Sequence, residues 1–499
     1  MRTVPDAWNQ SALAYDRFRL GCGIAHIGVG NFVRAHLAVF LDAYLQAHRQ
    51  DWMIHGIGLR AADSGLVDAM NRQGNLYTLT ERSGSRDTLK VIGSIKEFAY
   101  APSNPQRVIQ LLASDAIKVI SLTITEKGYY YDSAGDLDAA HPDIMADLQG
   151  AIPRTAIGYL FSAAKQRKVT NGLPVTLLSC DNLPSNGDRL RHLLLQFAEL
   201  KERAVADWIR DNTSCPNAMV DRITPTATDD TRDFVRNTFG IDDQCPVVSE
   251  AYLQWVLEDT FINGRPQLER VTVPVHLGSQ SAAVKVQFTD NVAPYEQLKM
   301  RLLNGSHSAL AYVAYLMGFR FVDQAMGDPI VRSFVQRYMD EITPTIPEVP
   351  GVDIAAYKGT LIDRFANAAI RDQVQRLAED GSKKIRNFVA PPLEHQLASG
   401  GALHSIAFVL AAWFRYLRGV DEQGTPIDIV DPMRTVLMER ARLHPHDPSQ
   451  LLAVESIFGA HIAANSRLAA AVKDCLDAID SLGARQACAR FLEAETSGR

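Results

Sequence analysis

The chain carries only six cysteines, at 22, 180, 215, 245, 475 and 488, and no two of them form a C-x-x-C pair. That scatter excludes a disulfide scaffold and a thiolate zinc site, so reduced thiols are expected. His-Glu-x-x-His is absent too. The closest histidine pair, His444 and His446, lies in His-Pro-His-Asp-Pro and reads as a solvated loop, so any catalysis is expected to need no metal ion. No uninterrupted apolar run approaches the roughly 20 residues of a membrane span, and residues 1–8 lack an apolar signal core. A cytoplasmic protein is expected. The chain also lacks a basic block, and a formal net charge of -6 with a pI near 6.1 argues against nucleic acid as a partner.

What is present is an ordinary globular composition, 46% hydrophobic and 22% charged, spread over 499 residues. That length exceeds one hydrophobic core, so at least two domains are expected. The first half alternates short β-branched runs with longer helical patterns, the mark of a parallel sheet covered by helices. Residues 23–30 read as a strand ending in glycines, Asn31 to about His48 as one largely buried helix, and Trp52 to Leu59 as a second strand. Further strands are expected at 117–124, 175–179 and 218–223, with helices near 105–114, 154–168 and 187–210. Segments near 268–290 turn β-rich. Beyond Pro294 nearly everything reads as helix, with breaks at 344–350, 391–392, 424–426 and 445–448. The expected architecture is α/β: a Rossmann-type doubly wound domain over 1–290 and a mainly α-helical domain over 291–499.

Gly28-Val-Gly30 stands after a strand and before a helix, where glycines permit a tight turn and the helix start offers amides to a pyrophosphate. The third glycine of G-x-G-x-x-G is replaced by Val33, and the pattern runs on to Ala35. A plain strand-to-helix turn explains a glycine pair equally well. The end of the second strand supplies both Arg60 and Asp63. An acid there takes the ribose hydroxyls of NAD and an arginine accommodates a phosphate, so NAD is preferred and NADP stays open.

Residues 299–307 read Lys-Met-Arg-Leu-Leu-Asn-Gly-Ser-His. At 3.6 residues per turn, Lys299, Asn304 and His307 are expected within one helical arc, interleaved with Leu303 and Leu310. A lysine on an apolar stripe is pushed toward neutrality by desolvation and can act as a general base. An amide and an imidazole beside it can donate to an oxygen whose charge changes in the reaction. The competing reading is an amphipathic helix whose lysine snorkels to water.

These motifs, in this order, resemble those of the mannitol dehydrogenase family, the polyol-specific long-chain dehydrogenases and related hexuronate reductases. The resemblance runs from Ala25-His-Ile-Gly-Val-Gly-Asn-Phe-Val-Arg-Ala-His36 through Ser121-Leu-Thr-Ile-Thr-Glu-Lys-Gly-Tyr129 and Ser179-Cys-Asp-Asn-Leu-Pro-Ser-Asn-Gly187. It continues through Val220-Asp-Arg-Ile-Thr-Pro225 to Lys299-x4-Asn304-x2-His307. It implies Lys299 as general base, Asn182 and Asn304 holding the reacting oxygen, and His307 orienting the substrate. Asp221 is implied near a substrate hydroxyl, Arg376 and Lys384 at the distal hydroxyls, and Glu296 as a proton relay. Cofactor contacts are implied at Ile27, Gly28, Gly30, Asn31, Phe32, Arg60 and Asp63. Asn31 and Val33 depart from the commoner Gly and His of this turn, and Ala62 from the acid that some relatives carry. The expected activity is NAD-dependent interconversion of a linear polyol and its ketose, as mannitol to fructose, by a monomer. Hexuronate reduction (fructuronate or tagaturonate), D-arabinitol 4-dehydrogenation and non-catalytic NAD binding remain alternatives.

Overall fold

The computed structural model describes residues 13–84, 87–132, 134–170, 172–277 and 280–496; the N-terminal residues 1–8 lie outside them. The chain divides into two compact units between Val292 and Ala293.

The first unit is built on a six-stranded parallel sheet. Its strands are β1 (Cys22–Ile27), β2 (Met53–Gly58), β3 (Ile95–Tyr100), β4 (Val119–Leu122), β5 (Val175–Ser179) and β6 (Thr213–Ser214), in the order β3-β2-β1-β4-β5-β6. This is the doubly wound dinucleotide-binding order, whose crevice opens at the carboxyl ends of β1 and β4. Alternation along β1 assigns the two faces. Ile24 packs with Leu37, Phe40 and Leu41 of the helix Leu37–His48, while Ala25 and Ile27 pack with the helices Pro105–Leu112, Ala156–Thr170 and Asn186–Lys201. Strand β3 and the neighbouring strands Tyr77–Arg82 and Asp87–Ile92 carry mixed polar and apolar residues without a run that marks them in advance.

Two expectations of the sequence are revised here. The helix expected from Asn31 to His48 is broken at His36 into Asn31–Ala35 and Leu37–His48. The carbonyls of Arg34 and Ala35, which a continuous helix would use, instead accept hydrogen bonds from Tyr77 Oη at 2.6 Å and Arg222 Nη1 at 2.6 Å. The strand expected at 218–223 is Ala218–Asp221. It belongs to a separate three-stranded sheet, antiparallel to Gln254–Glu258, and not to the parallel one.

His26 sits in the middle of this unit, fully buried, with its ring nitrogens 2.8 Å from Ser121 Oγ and 2.9 Å from Thr123 Oγ1. Burial pushes its pKa down to about 3. An unfolded chain takes up that proton near pH 6.5, so between pH 6.5 and 3 the unfolded state binds more protons and stability falls as the solution is acidified. The expected slope reaches about 1.4 kcal/mol per pH unit from this group alone. Urea midpoints measured from pH 7 to 4 should decline more steeply for the parent than for His26→Gln; parallel slopes would remove the assignment.

The second unit is helical. At its centre lie the helices Gly305–Leu316 and His404–Tyr416, with Pro329–Ile342 and Ser466–Leu482 packed against them. In Gly305–Leu316 every residue except His307 is buried. The expected break at Pro391-Pro392 is not a break. The chain there passes from a π-helical turn, Ile385–Val389, directly into the helix Ala390–Ser399, where the two prolines fall in the first turn and need no backbone donor. None of the described helices is long and apolar enough to cross a membrane.

Candidate active site

In the first unit, the turn after β1 is shaped by two glycines with different duties. Gly28 has φ +89, and a Cβ there would stand 2.2 Å from the Thr123 carbonyl oxygen. Only glycine fits. Its N–H donates to Ile57 O at 3.0 Å and its carbonyl accepts from Thr123 Oγ1 at 2.8 Å, which ties the turn to β2 and β4. Gly30 is extended, with φ -107, and a Cβ on it would meet nothing nearer than Gly28 O at 3.9 Å. It leaves open space in front of the helix that starts at Asn31. Ile27 is fully buried beneath the turn, whereas Asn31 and Phe32 are half-buried. The Asn31 amide oxygen accepts from Arg34 Nη2 at 2.7 Å, and the Phe32 ring stacks on His36 at 4.9 Å.

At the end of β2, Asp63 folds back on Arg60. One carboxylate oxygen accepts the Arg60 backbone N–H at 2.9 Å and the other accepts Nη2 at 3.0 Å. Gly58 makes that return possible, since a Cβ on it would lie 2.9 Å from Asp63 Cβ. A bare glycine cradle, a helix start and a strand-end acid fit a dinucleotide. Asn182, exposed, follows the end of β5, and Asp221 is buried at the end of its strand. The next residue, Arg222, is buried as well. Its fully buried guanidinium binds Glu81 at 2.6 Å, and Lys90 meets the other oxygen of Glu81 at 2.8 Å.

In the second unit, the segment that bears Lys299 is not the α-helix expected from the sequence. Lys299–Asn304 is a π-helical turn between the helices Ala293–Leu298 and Gly305–Leu316. The difference has a consequence. At 3.6 residues per turn, five positions rotate by about 140°, which would set Lys299 and Asn304 at the two edges of the expected arc. An i→i+5 turn narrows that arc and brings them closer to one line along the helix. Both are buried, and the Asn304 amide donates to Met300 Sδ at 3.6 Å. Gly305 follows at a position where a Cβ would lie 2.8 Å from Tyr338 Oη and 3.4 Å from Phe388 O, so the second π-helical turn packs closely against this one.

His307 comes next, half-buried, its ring 4.4 Å from that of Phe365. Burial lowers its pKa to about 3; Asp372 opposes this, and Arg376, Arg364 and Lys384 reinforce it. The imidazole is therefore neutral across the working range. Those same partners place Arg376 and Lys384 around His307. Arg376 is exposed and bonds both oxygens of Asp372, through Nε at 2.7 Å and through Nη2. Lys384 Nζ donates to Arg376 O at 3.2 Å and Leu377 O at 3.0 Å, and burial, with help from Arg376, brings its pKa down to about 8. Glu296 is half-buried in the first turn of Ala293–Leu298. Sequence reasoning did not find Asp372, although its i,i+4 spacing to Arg376 was a readable signal, and it did not find Arg364, which carried none.

A doubly wound sheet with a bare glycine turn, joined to a helical unit that buries a lysine beside an asparagine, defines a Rossmann-type oxidoreductase. Residues 22–270 match the Mannitol dehydrogenase Rossmann domain and residues 291–480 the Mannitol dehydrogenase C-terminal domain. The chain belongs to the mannitol dehydrogenase family. It is 42% identical to Mannitol 2-dehydrogenase of Neosartorya fischeri over 94% of this chain and 93% of that one. Among solved structures it resembles Pseudomonas fluorescens mannitol 2-dehydrogenase in ternary complex with NAD and D-mannitol, at 42% identity and TM-score 0.87 with 96% of each chain covered. It also resembles a substrate-free D-sorbitol dehydrogenase at 33% identity and TM-score 0.84, over 95% of this chain and 96% of that one.

Proposed function

We propose that the chain interconverts a linear polyol of the mannitol type and its ketose, with Lys299 as the general base. It is an NAD(P)-dependent polyol dehydrogenase acting on CH–OH groups, with NAD preferred. The observation that carries the reading is the buried Lys299 set one π turn from buried Asn304, next to a helix whose sole partly open residue is His307. Bound nicotinamide supplies the acceptor for the hydride that leaves the carbinol carbon. Lys299 takes the hydroxyl proton. The amides of Asn182 and Asn304 donate to the oxygen as its charge builds, the service that a metal ion performs in other dehydrogenases. Neutral His307 donates to or accepts from an adjacent hydroxyl, Asp221 accepts from another, and Glu296 hands the lysine's proton on to water. Arg376 and Lys384 meet the distal hydroxyls. Asp372 already neutralises Arg376, so a sugar acid's carboxylate would have to be met at this end by Lys384.

The test is a panel of polyols, ketoses and keto-acids assayed by absorbance with NAD and NADP. Mannitol and fructose should give the highest kcat/KM; a keto-acid ahead of every ketose would overturn the polyol reading. Since the base must be uncharged to accept a proton, oxidation should rise toward alkaline pH and reduction should prefer lower pH. His307 should add no limb near pH 6.5. Flat profiles in both directions would count against Lys299.

Cofactor choice is assigned to Asp63, whose carboxylate faces the end of β2 while holding Arg60. Asp63→Ser removes an acceptor for ribose hydroxyls and frees a guanidinium for a phosphate. The ratio of kcat/KM with NADP to that with NAD is expected to rise by about tenfold or more, roughly the worth of one charge-assisted hydrogen bond. An unchanged ratio would place the ribose elsewhere.

A further inference from the structure

Between the end of β5 and the strand Ala218–Asp221, two buried polar side chains hold the backbone on either side of Asn182. Asp181 accepts the N–H of Ile124 at 3.0 Å and of Thr125 at 2.8 Å, and the hydroxyl of Tyr129 at 2.7 Å. Tyr129 Oη in turn lies 2.5 Å from Ser179 Oγ. These donors come from the loop after β4, where Thr125 adopts φ +61, a left-handed conformation that a β-branched residue keeps only when its surroundings impose it. The same loop reaches the glycine turn through Thr123 Oγ1 and Gly28 O. From the other side, the Asn186 amide donates to Asp181 O at 3.0 Å and to Ala218 O at 2.8 Å, while its oxygen accepts Ala218 N–H at 2.9 Å. Asp181 and Asn186 are buried; Asn182 between them is exposed.

We propose that Asp181 and Asn186 are positioning residues for Asn182, fixing its backbone to the loop after β4 and to the strand that ends at Asp221 before substrate arrives. The proposal rests on the reading of Asn182 as a donor to the reacting oxygen. An amide donor lowers a barrier only to the extent that it is already aimed where charge develops. The aim of a loop side chain depends on how firmly the backbone that carries it is held. Here the aim comes from its buried neighbours, one through a carboxylate that gathers three donors and one through a side-chain amide that bridges two carbonyls.

The experiment is a set of double-mutant cycles. Asp181→Asn, Asn186→Asp and Tyr129→Phe are made in the parent and in the Asn182→Ala background, with cofactor affinity followed by NADH fluorescence. In the parent, Asp181→Asn and Asn186→Asp are expected to lower kcat at least tenfold and Tyr129→Phe about threefold, with NADH affinity changed less than threefold. In the Asn182→Ala background each should change kcat less than twofold, because the group they aim is gone. Equal losses in the two backgrounds would show a role independent of Asn182 and overturn the proposal, as would no loss in the parent. Tyr129→Phe keeps the packing of a buried ring, so it tests the clamp even where the other two variants fold poorly. Should Asn182→Ala itself leave kcat intact, the reading of Asn182 fails and the proposal with it. A large Asn182→Ala effect with additive cycles removes the proposal alone.

Discussion

Lys299→Met is expected to lower kcat for polyol oxidation by about 10²- to 10⁴-fold, the range that a positioned general base contributes. Methionine keeps the length and apolar stem of a side chain that is only 7% exposed, so the helical unit should fold with little change. Cofactor binding should persist within about threefold, because no residue of the glycine turn is touched. Two readouts separate loss of a base from loss of packing. The melting temperature should stay within a few degrees of the parent, and the alkaline rise in oxidation rate should disappear along with the rate. Retention of polyol-dependent NADH production at even a third of the parent rate would sink the base assignment. The reason to expect a large effect is local. The π turn brings Lys299 and Asn304 closer to one line than an α-helix would, and a buried amine next to an amide donor suits taking up a proton as an alkoxide forms.

Gly28→Ala should be the more damaging of the two glycine substitutions, and damaging in a different way from Gly30→Ala. A methyl group on Gly28 would meet the Thr123 carbonyl oxygen at 2.2 Å with φ held at +89. Left-handed backbone costs a non-glycine residue about 1–2 kcal/mol, and overpacking adds roughly 1–3 kcal/mol. A loss of stability of about 2–5 kcal/mol follows from the two together, along with a cofactor dissociation constant raised about a hundredfold or more as the turn shifts off β4. On Gly30 a methyl group enters open space, 3.9 Å from its nearest neighbour. Gly30→Ala should therefore leave the melting temperature unchanged while weakening the cofactor, because it obstructs only what approaches from outside. Thermal melts paired with NADH titrations read the contrast. Equal destabilisation by both would mean that the turn serves the fold alone.

The parallel sheet and the helical second half were legible because their signals are local. A β-branched run, a glycine turn and a 3.6-residue period each lie within a dozen residues of chain. Strand β5 was read to the residue from Val175 to Ser179, where five consecutive buried side chains leave no choice of face. The candidate site was legible in part, and for the same reason. Lys299, Asn304 and His307 stand within nine positions, and Asp181 lay inside a motif already singled out beside Asn182. Its role was hidden because its donors, at 124, 125 and 129, come from another loop more than fifty residues earlier.

By itself, then, the amino-acid order determined the classes of element, the glycine turn at 28–30 and the chemical inventory of lysine, amides, imidazole and carboxylates. Tertiary structure alone decided how that inventory is aimed. It broke the first helix at His36 by drawing two carbonyls to Tyr77 and Arg222, moved Ala218–Asp221 into a second sheet, gave Arg222 to Glu81, and set Asp372 against Arg376. It also wound Lys299–Asn304 as a π turn. Each of these is a contest between nearly equal local options, and contacts from distant parts of the chain, worth a kilocalorie or so apiece, settle it only once the chain is folded.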